Sequence, residues 1–221
     1  MPPAHPVAAP ERQRDPERTK AEILDVAARE FARQGYDGAR VDEIAALTRT
    51  TKRMIYYYFG GKEQLYVAVL ERAYTEVRTA EAAIDVAHLA PVEAIRRLAE
   101  LTYDHHHDHP DFIRLVSIEN IHLARHLRTS EVLVNLGAPV IDLIKRILTA
   151  GKNSGDFVTE VDAVDVHMMI SSFCVFSVAN QHTFHALFDR DLAAESHRVH
   201  YRQMIGEMVV AYLTGVGRKP T

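Results

Sequence analysis

Thr51 to Lys62 reads TKRMIYYYFGGK, and the architecture turns on how that run folds. Its spacing predicts a short helix with Thr51 as the N-cap, because a threonine hydroxyl can accept from the first unpaired backbone N–H groups. Ile55, Tyr58 and Phe59 supply the anchors, and Gly60-Gly61 closes the unit. Three consecutive helical positions span about 300° of the circumference, so Tyr56, Tyr57 and Tyr58 cannot all face one core. At least one must stand outside. Tyr58 is the one best read as sealing the core.

Just upstream, VDEIAALT gives Val41, Ile44, Ala45 and Thr48 one inward face, enough for a helix of two turns. Arg49-Thr50-Thr51 joins it to the next helix. Before it, Asp15-Pro16 announces a longer helix, with an acceptor at the cap and proline at the first helical position. Ile23, Ala27 and Phe31, flanked by Leu24 and Ala28, form its apolar stripe. Gly35 permits a left-handed C-terminal cap, beyond which Tyr36 can fold back onto the stripe. Two short helices on a longer first one make a helix-turn-helix.

From Lys62 onward the chain reads as long helices with few breakers: KEQLYVAVLERAYTEVRTAEAAI, PVEAIRRLAELTYDHHHDH and PDFIRLVSIENIHLARHL. Then come SEVLVNLGAPVIDLIKRILTAGKN, interrupted near Gly137-Ala138-Pro139, a helix over about 162–188, and another over about 192–214. Gly151, Gly155 and Gly215 read as exits. No strand alternation and no 20- to 50-residue repeat is visible, so the expected class is all-α. The expected division is a disordered arm over 1–14, a helix-turn-helix domain over 15–62, and a larger helical domain over 63–221.

At 221 residues, 47% hydrophobic and 25% charged, the chain has a globular composition, and its single cysteine, Cys174, excludes a disulfide framework or a cysteine-rich zinc module. The opening MPPAHPVAAPERQRDPER lacks the apolar core of a secretory signal. No uncharged run approaches the ~20 residues of a membrane span, so a cytoplasmic, soluble protein is expected. Charge is uneven. Residues 1–62 hold 11 Lys+Arg against 9 Asp+Glu, while the remainder is acidic. Between Ile44 and Lys62 stand Arg49, Lys52, Arg53 and Lys62 without one acidic residue, a balance that invites a polyanion.

Duplex DNA is the polyanion that a short helix can read, because the major groove admits an α-helix and displays distinguishable base edges. Thr51, Lys52, Arg53, Tyr56 and Tyr57 supply exposed donors, Arg53 has the fork for guanine, and Lys62 can clamp a phosphate.

The stretch from Arg18 to Leu70 resembles the DNA-binding region of TetR-family transcriptional regulators. The matching positions are Phe31, Gly35, Ile44-Ala45, Tyr56 to Phe59 and Lys62-Glu63. Within that family TKRMIYYYFGGKEQLYVAVLE is similar to regulators of pyrimidine and nitrogen-heterocycle catabolism. The resemblance implies a homodimeric regulator, a repressor, that binds a palindromic operator, is released by a small organic effector, and needs no cofactor or enzyme activity. Carried over by position, Thr51, Lys52, Arg53 and Tyr57 would meet bases, and Tyr56, Tyr58 and Lys62 phosphates. Arg49 stands where relatives often carry glycine, so it either adopts left-handed backbone at a cost of about 1 kcal/mol or alters the turn. Thr50 replaces a common apolar residue, and Met54 removes a hydroxyl contact.

Polar residues that interrupt apolar stripes are the candidate effector-pocket liners: Tyr103, His107, Glu119, His122, His126, Ser171, Asn180 and His182. Phe173, Phe176, Phe184, Met204, Met208 and Val209 exceed one monomer core and are expected at a four-helix dimer seam. Thirteen histidines, with HHHDH at 105–109, raise a rival reading of a His-rich metalloprotein or metal-responsive regulator. The run misses the HxHxDH register by one residue, although His105 with His109 and His122 with His126 share helix faces. Glu119-x-x-His122 is half of a di-iron motif without a second half, and no metal ligand is assigned.

Overall fold

The structure is a computed structural model that describes residues 15–84 and 88–215. Among them it is all helical: α1 (Pro16–Gly38), α2 (Val41–Leu47), α3 (Lys52–Phe59), α4 (Lys62–Ala82), α5 (Pro91–Asp108), α6 (Pro110–Ile121), a 3-10 turn (Leu127–Thr129), α7 (Glu131–Asn135), α8 (Ala138–Ser154), α9 (Ala163–Ala179), α10 (Gln181–Phe188) and α11 (Glu195–Thr214). The arm expected over 1–14 lies outside the described residues.

Local chemistry sets the first boundaries. Asp15 accepts from the backbone N–H of Glu17 at 3.0 Å, and Pro16 occupies the first turn of α1. Helical backbone breaks at Gly35 (φ 72°), after which Tyr36 returns to Phe31 with ring centroids 6.4 Å apart. Thr51 caps α3 by accepting from Met54 N–H at 3.3 Å.

Three apolar clusters hold the molecule. Ile23, Ala27 and Phe31 of α1, Ile44 of α2, Ile55 of α3, and Leu65, Tyr66, Val69 and Leu70 of α4 make the first, completed by Leu115 from α6 and Leu133 from α7. Full burial of each large apolar side chain contributes about 1.5–3 kcal/mol, so the short helices α2 and α3 depend on α1 and α4 for closure. The second and largest gathers α5, α8, α9 and α11. A third, around Val77, Phe112, Ile113 and Val178, lies along the second half of α4. Helix α4 therefore runs from one core into another.

Charge ties α11 to α5. Arg198 donates both Nη atoms to the Asp108 carboxylate at 2.7 and 2.8 Å, and Arg202 reaches Asp104 at 2.8 Å and Glu100 at 2.7 Å. The Arg198 fork pulls the Asp108 carboxyl below its ordinary value.

Helix ends depart from the periodicity in three places. The run expected to continue through Leu127 stops at Ile121, where Leu123 (φ 56°) and Ala124 (φ 55°) turn left-handed. The helix expected over 162–188 breaks at Asn180 into α9 and α10, bent by 68°. Gly151 is no exit: it lies buried inside α8 under Phe157, whose ring would meet an added Cβ at 2.1 Å. Gly155 and Gly215 do cap helices in left-handed backbone.

Candidate nucleic-acid interface

Helix α3 is held by one buried residue, Ile55, which packs in the first cluster with Tyr58 and Phe59 half-buried beside it. The opposite face is open. Thr51, Lys52 and Arg53 are exposed at its N-terminal end, and Tyr57 and Tyr56 follow with 77% and 44% of their surface accessible. Two of the three tyrosines thus stand outside. Tyr58 turns inward, its ring 5.4 Å from Tyr57 and 5.8 Å below the Lys20 ammonium.

The cations differ in what holds them. Lys52 pairs with Asp42 of α2 at 3.1 Å, both side chains being largely exposed. Lys62 donates to the Asp37 carbonyl at 3.2 Å and lies 4.8 Å above the Tyr36 ring, which fixes it at the junction of α1 and α4. Arg53 is exposed. Arg49 takes left-handed backbone (φ 51°), so the turn keeps its geometry at the expense of strain. Exposed donors at the start of a short helix, backed by the positive end of its dipole, suit an anionic backbone flanking a groove.

Residues 23–69 match the family model described as bacterial regulatory proteins, tetR family, and residues 91–209 match the tetracyclin repressor-like C-terminal domain. The chain belongs to the TetR family. It is 32% identical over 199 residues to the HTH-type transcriptional repressor NicS of Pseudomonas putida, covering 90% of this chain and 94% of that one. Over 110 residues it is 40% identical to the HTH-type transcriptional repressor SCO4008 of Streptomyces coelicolor, covering 49% of this chain and 53% of that one. Among solved structures, the putative transcriptional regulator SCO4942 from Streptomyces coelicolor aligns with TM-score 0.68 and 28% identity, over 86% of this chain and 97% of that one. TetR-family proteins and these relatives are transcriptional regulators rather than enzymes. No single described helix is long and apolar enough to cross a membrane.

In this TetR-family chain the expected pocket liners do not form one site. Glu119 and His126 are fully buried but pair with each other at 2.8 Å, against Tyr36 and Tyr66 of the first cluster. His122, at the end of α6, is half-buried beside them, its ring 6.4 Å from that of His126. His182 is exposed on α10, and Asn180 is the residue at the break between α9 and α10. His107 meets the Ala193 carbonyl at 3.2 Å, and Ser171 lies 3.5 Å from His167 Nε2. Tyr103 is buried with its hydroxyl unpaired, and burial pushes that hydroxyl up to about 12.

An apolar cleft of about 280 Å³ opens elsewhere, lined by Phe173, Phe176, Phe184, Leu192, Tyr201 and the side chains of Ser177 and Arg190. Three residues expected at the dimer seam thus line a cleft. Val209 is fully buried in the chain's own core because α11 lies against α5, which removes it from the expected seam. Met204 is half-buried against the same core, whereas Met208 is exposed. Helices α9, α10 and α11 also expose Met168, Leu187, Phe188 and Val199.

The interior charges Arg78 and Glu81 escape a reading of the sequence, since an Arg and a Glu three apart look like an ordinary surface pair. As for the histidine run, the Asp108 carboxylate is taken by Arg198, and no group of three His, Cys, Asp or Glu among the described residues is placed to hold a metal ion.

Proposed function

We propose that this TetR-family chain is a cytoplasmic repressor that binds a palindromic operator as a homodimer and lets go when a small organic molecule enters its C-terminal helices. Residues 15–62 form the reader, and the helices after 62 take up the effector and pair the subunits. One observation carries the reading: α3 is anchored by Ile55 and presents Thr51, Lys52, Arg53, Tyr56 and Tyr57 outward on one short rod. In this reading Arg53 and Lys52 reach base edges with Thr51 and Tyr57, while Arg49, Tyr56 and Lys62 grip the backbone on either side.

A palindrome needs two readers related by a twofold axis. The exposed apolar residues Met168, Phe176, Leu187, Phe188 and Met208 on α9 to α11 supply a face for a second copy. Apolar surface of that kind on a soluble protein marks an interaction site.

Selection of bound duplexes from a random pool tests the proposal. A palindromic consensus is expected, retarded by a dimer, and Arg53→Ala with Lys62→Ala abolishes retardation while leaving helical content unchanged. A double variant that binds the consensus as tightly as the parent refutes the assignment of α3.

A further inference from the structure

Between α4, α5 and α9 lies a set of ionisable side chains that the DNA reader does not use. Arg78 of α4 donates Nη1 to Glu81, whose side chain is buried while that of Arg78 is only partly covered. That contact occupies one end of the guanidinium. Its Nε, on the side edge that forks onto carboxylates, is out of solvent and meets no acceptor among the described residues. Both ring nitrogens of His105 and Nδ1 of His106 on α5 are buried and unpaired as well. His167 of α9 completes the group, with Ser171 one turn on.

Seven buried side-chain polar atoms lack a partner among the described residues, and four of them fall in this one place. Buried polar groups are normally paired, so a concentration of unpaired ones, with Arg78 Nε a fixed donor among them, calls for a polar partner brought from outside. Whichever tautomer His105 holds, one of its nitrogens carries a hydrogen. Burial above all, with the Arg78 charge adding to it, holds His105 and His167 down to about 4 and His106 to about 3, so the imidazoles are neutral at neutral pH, each with one N–H and one acceptor nitrogen. Glu81 offsets Arg78 in charge, which leaves the Arg78 Nε–H and one N–H of His105 without an acceptor among the described residues. Aromatic walls surround it: Phe112 lies 5.6 Å from the His106 ring, 6.0 Å from His105 and 5.1 Å from Tyr74.

We propose that this place binds a small aromatic carboxylate, whose oxygens fork onto the Nε edge of Arg78 and accept from His105 and His106, with its ring against Phe112 and Tyr74. The proposal deepens, and rests on, the reading of the C-terminal helices as an effector site. It sets that site apart from the apolar cleft at Phe173, where Arg190 and Ser177 are the polar liners.

Calorimetric titration of the full chain with benzoate, salicylate and phenylacetate, and with benzamide as the uncharged counterpart, tests it. At least one acid binds and benzamide does not. Arg78→Gln combined with Glu81→Gln removes the ion pair as a unit, and it weakens the acid by about tenfold to a hundredfold at unchanged helical content. Arg78→Lys does not rescue, since an ammonium cannot fork. His105→Gln, which leaves the ion pair intact, also weakens binding. The site is overturned if none of the three acids binds, if benzamide binds equally well, or if the double variant binds like the parent. Binding of the ligand-free chain to its selected duplex is measured on the same preparations. A chain that holds DNA but no acid refutes this site alone, whereas one that holds no DNA refutes the regulator reading.

Discussion

Oε1 of Glu119 stands 2.8 Å from Nδ1 of His126, with 2% and 1% of the two side chains accessible, so the ends of a left-handed turn are clasped inside the protein. Oε2 of the same carboxylate accepts from Leu127 N–H at 3.0 Å. The His126 ring lies 4.2 Å from Tyr36 and 5.0 Å from Tyr66, which brings the turn after α6 against the base of the reader. Removing one partner leaves a buried acceptor short of a donor. His126→Ala is therefore expected to cost about 3 kcal/mol, read as a lower denaturant midpoint. A change below about 0.5 kcal/mol would show that the carboxylate finds water instead.

Ile55 and Tyr57 are two residues apart and should behave oppositely. Ile55→Ala empties the core position that seats α3 and is expected to cost about 2–5 kcal/mol in unfolding free energy. Tyr57→Ala, at an exposed position, should leave stability within about 0.5 kcal/mol while weakening operator binding in a gel-shift titration.

Asp42 neutralises Lys52 in the free protein across 3.1 Å. Exposed pairs of this kind are worth about 0.2–1 kcal/mol, so Asp42→Asn should raise operator affinity by about two- to fivefold at low salt. The gain should fade as salt is added, because exposed charges are screened. Unchanged affinity at low salt would mean that Lys52 does not engage DNA.

Acid should unfold the protein early. His105, His106 and His167 are held at about 4, 3 and 4, below the ~6.5 of an unfolded chain. Between those values the unfolded chain carries the extra protons. Stability is therefore full above about pH 6.5 and declines as pH falls through that window. Denaturant midpoints at pH 7.5, 6 and 5 should fall with a slope of more than one proton, and His106→Gln should flatten the decline. A pH-independent midpoint would place these rings in water.

The reader was written plainly in the chain because its signals are local: the Asp15 and Thr51 caps, the break at Gly35, and a tyrosine run too crowded for one face. Left-handed backbone at Arg49 is one of the two outcomes that the family resemblance left open there. Farther on, apolar periodicity ran straight across Ile121 and Asn180, where the chain turns for reasons of packing that no local residue declares. Glu119 and His126 interrupt stripes as pocket liners would, yet they pair with one another through Nδ1. Val209 looked surplus to one core because the close approach of α11 to α5 is a tertiary fact.

Helix α4 carries residues of the first cluster in its early turns and Arg78 and Glu81 near its end. Its 21 residues make a stiff beam about 30 Å long, so a tilt of about 5° at the far end displaces the other by about 2–3 Å. A beam shared by two cores could work as a crank: if the carboxylate proposed at Arg78 tilts it, the floor on which Ile55 and Tyr57 are mounted would swing with it.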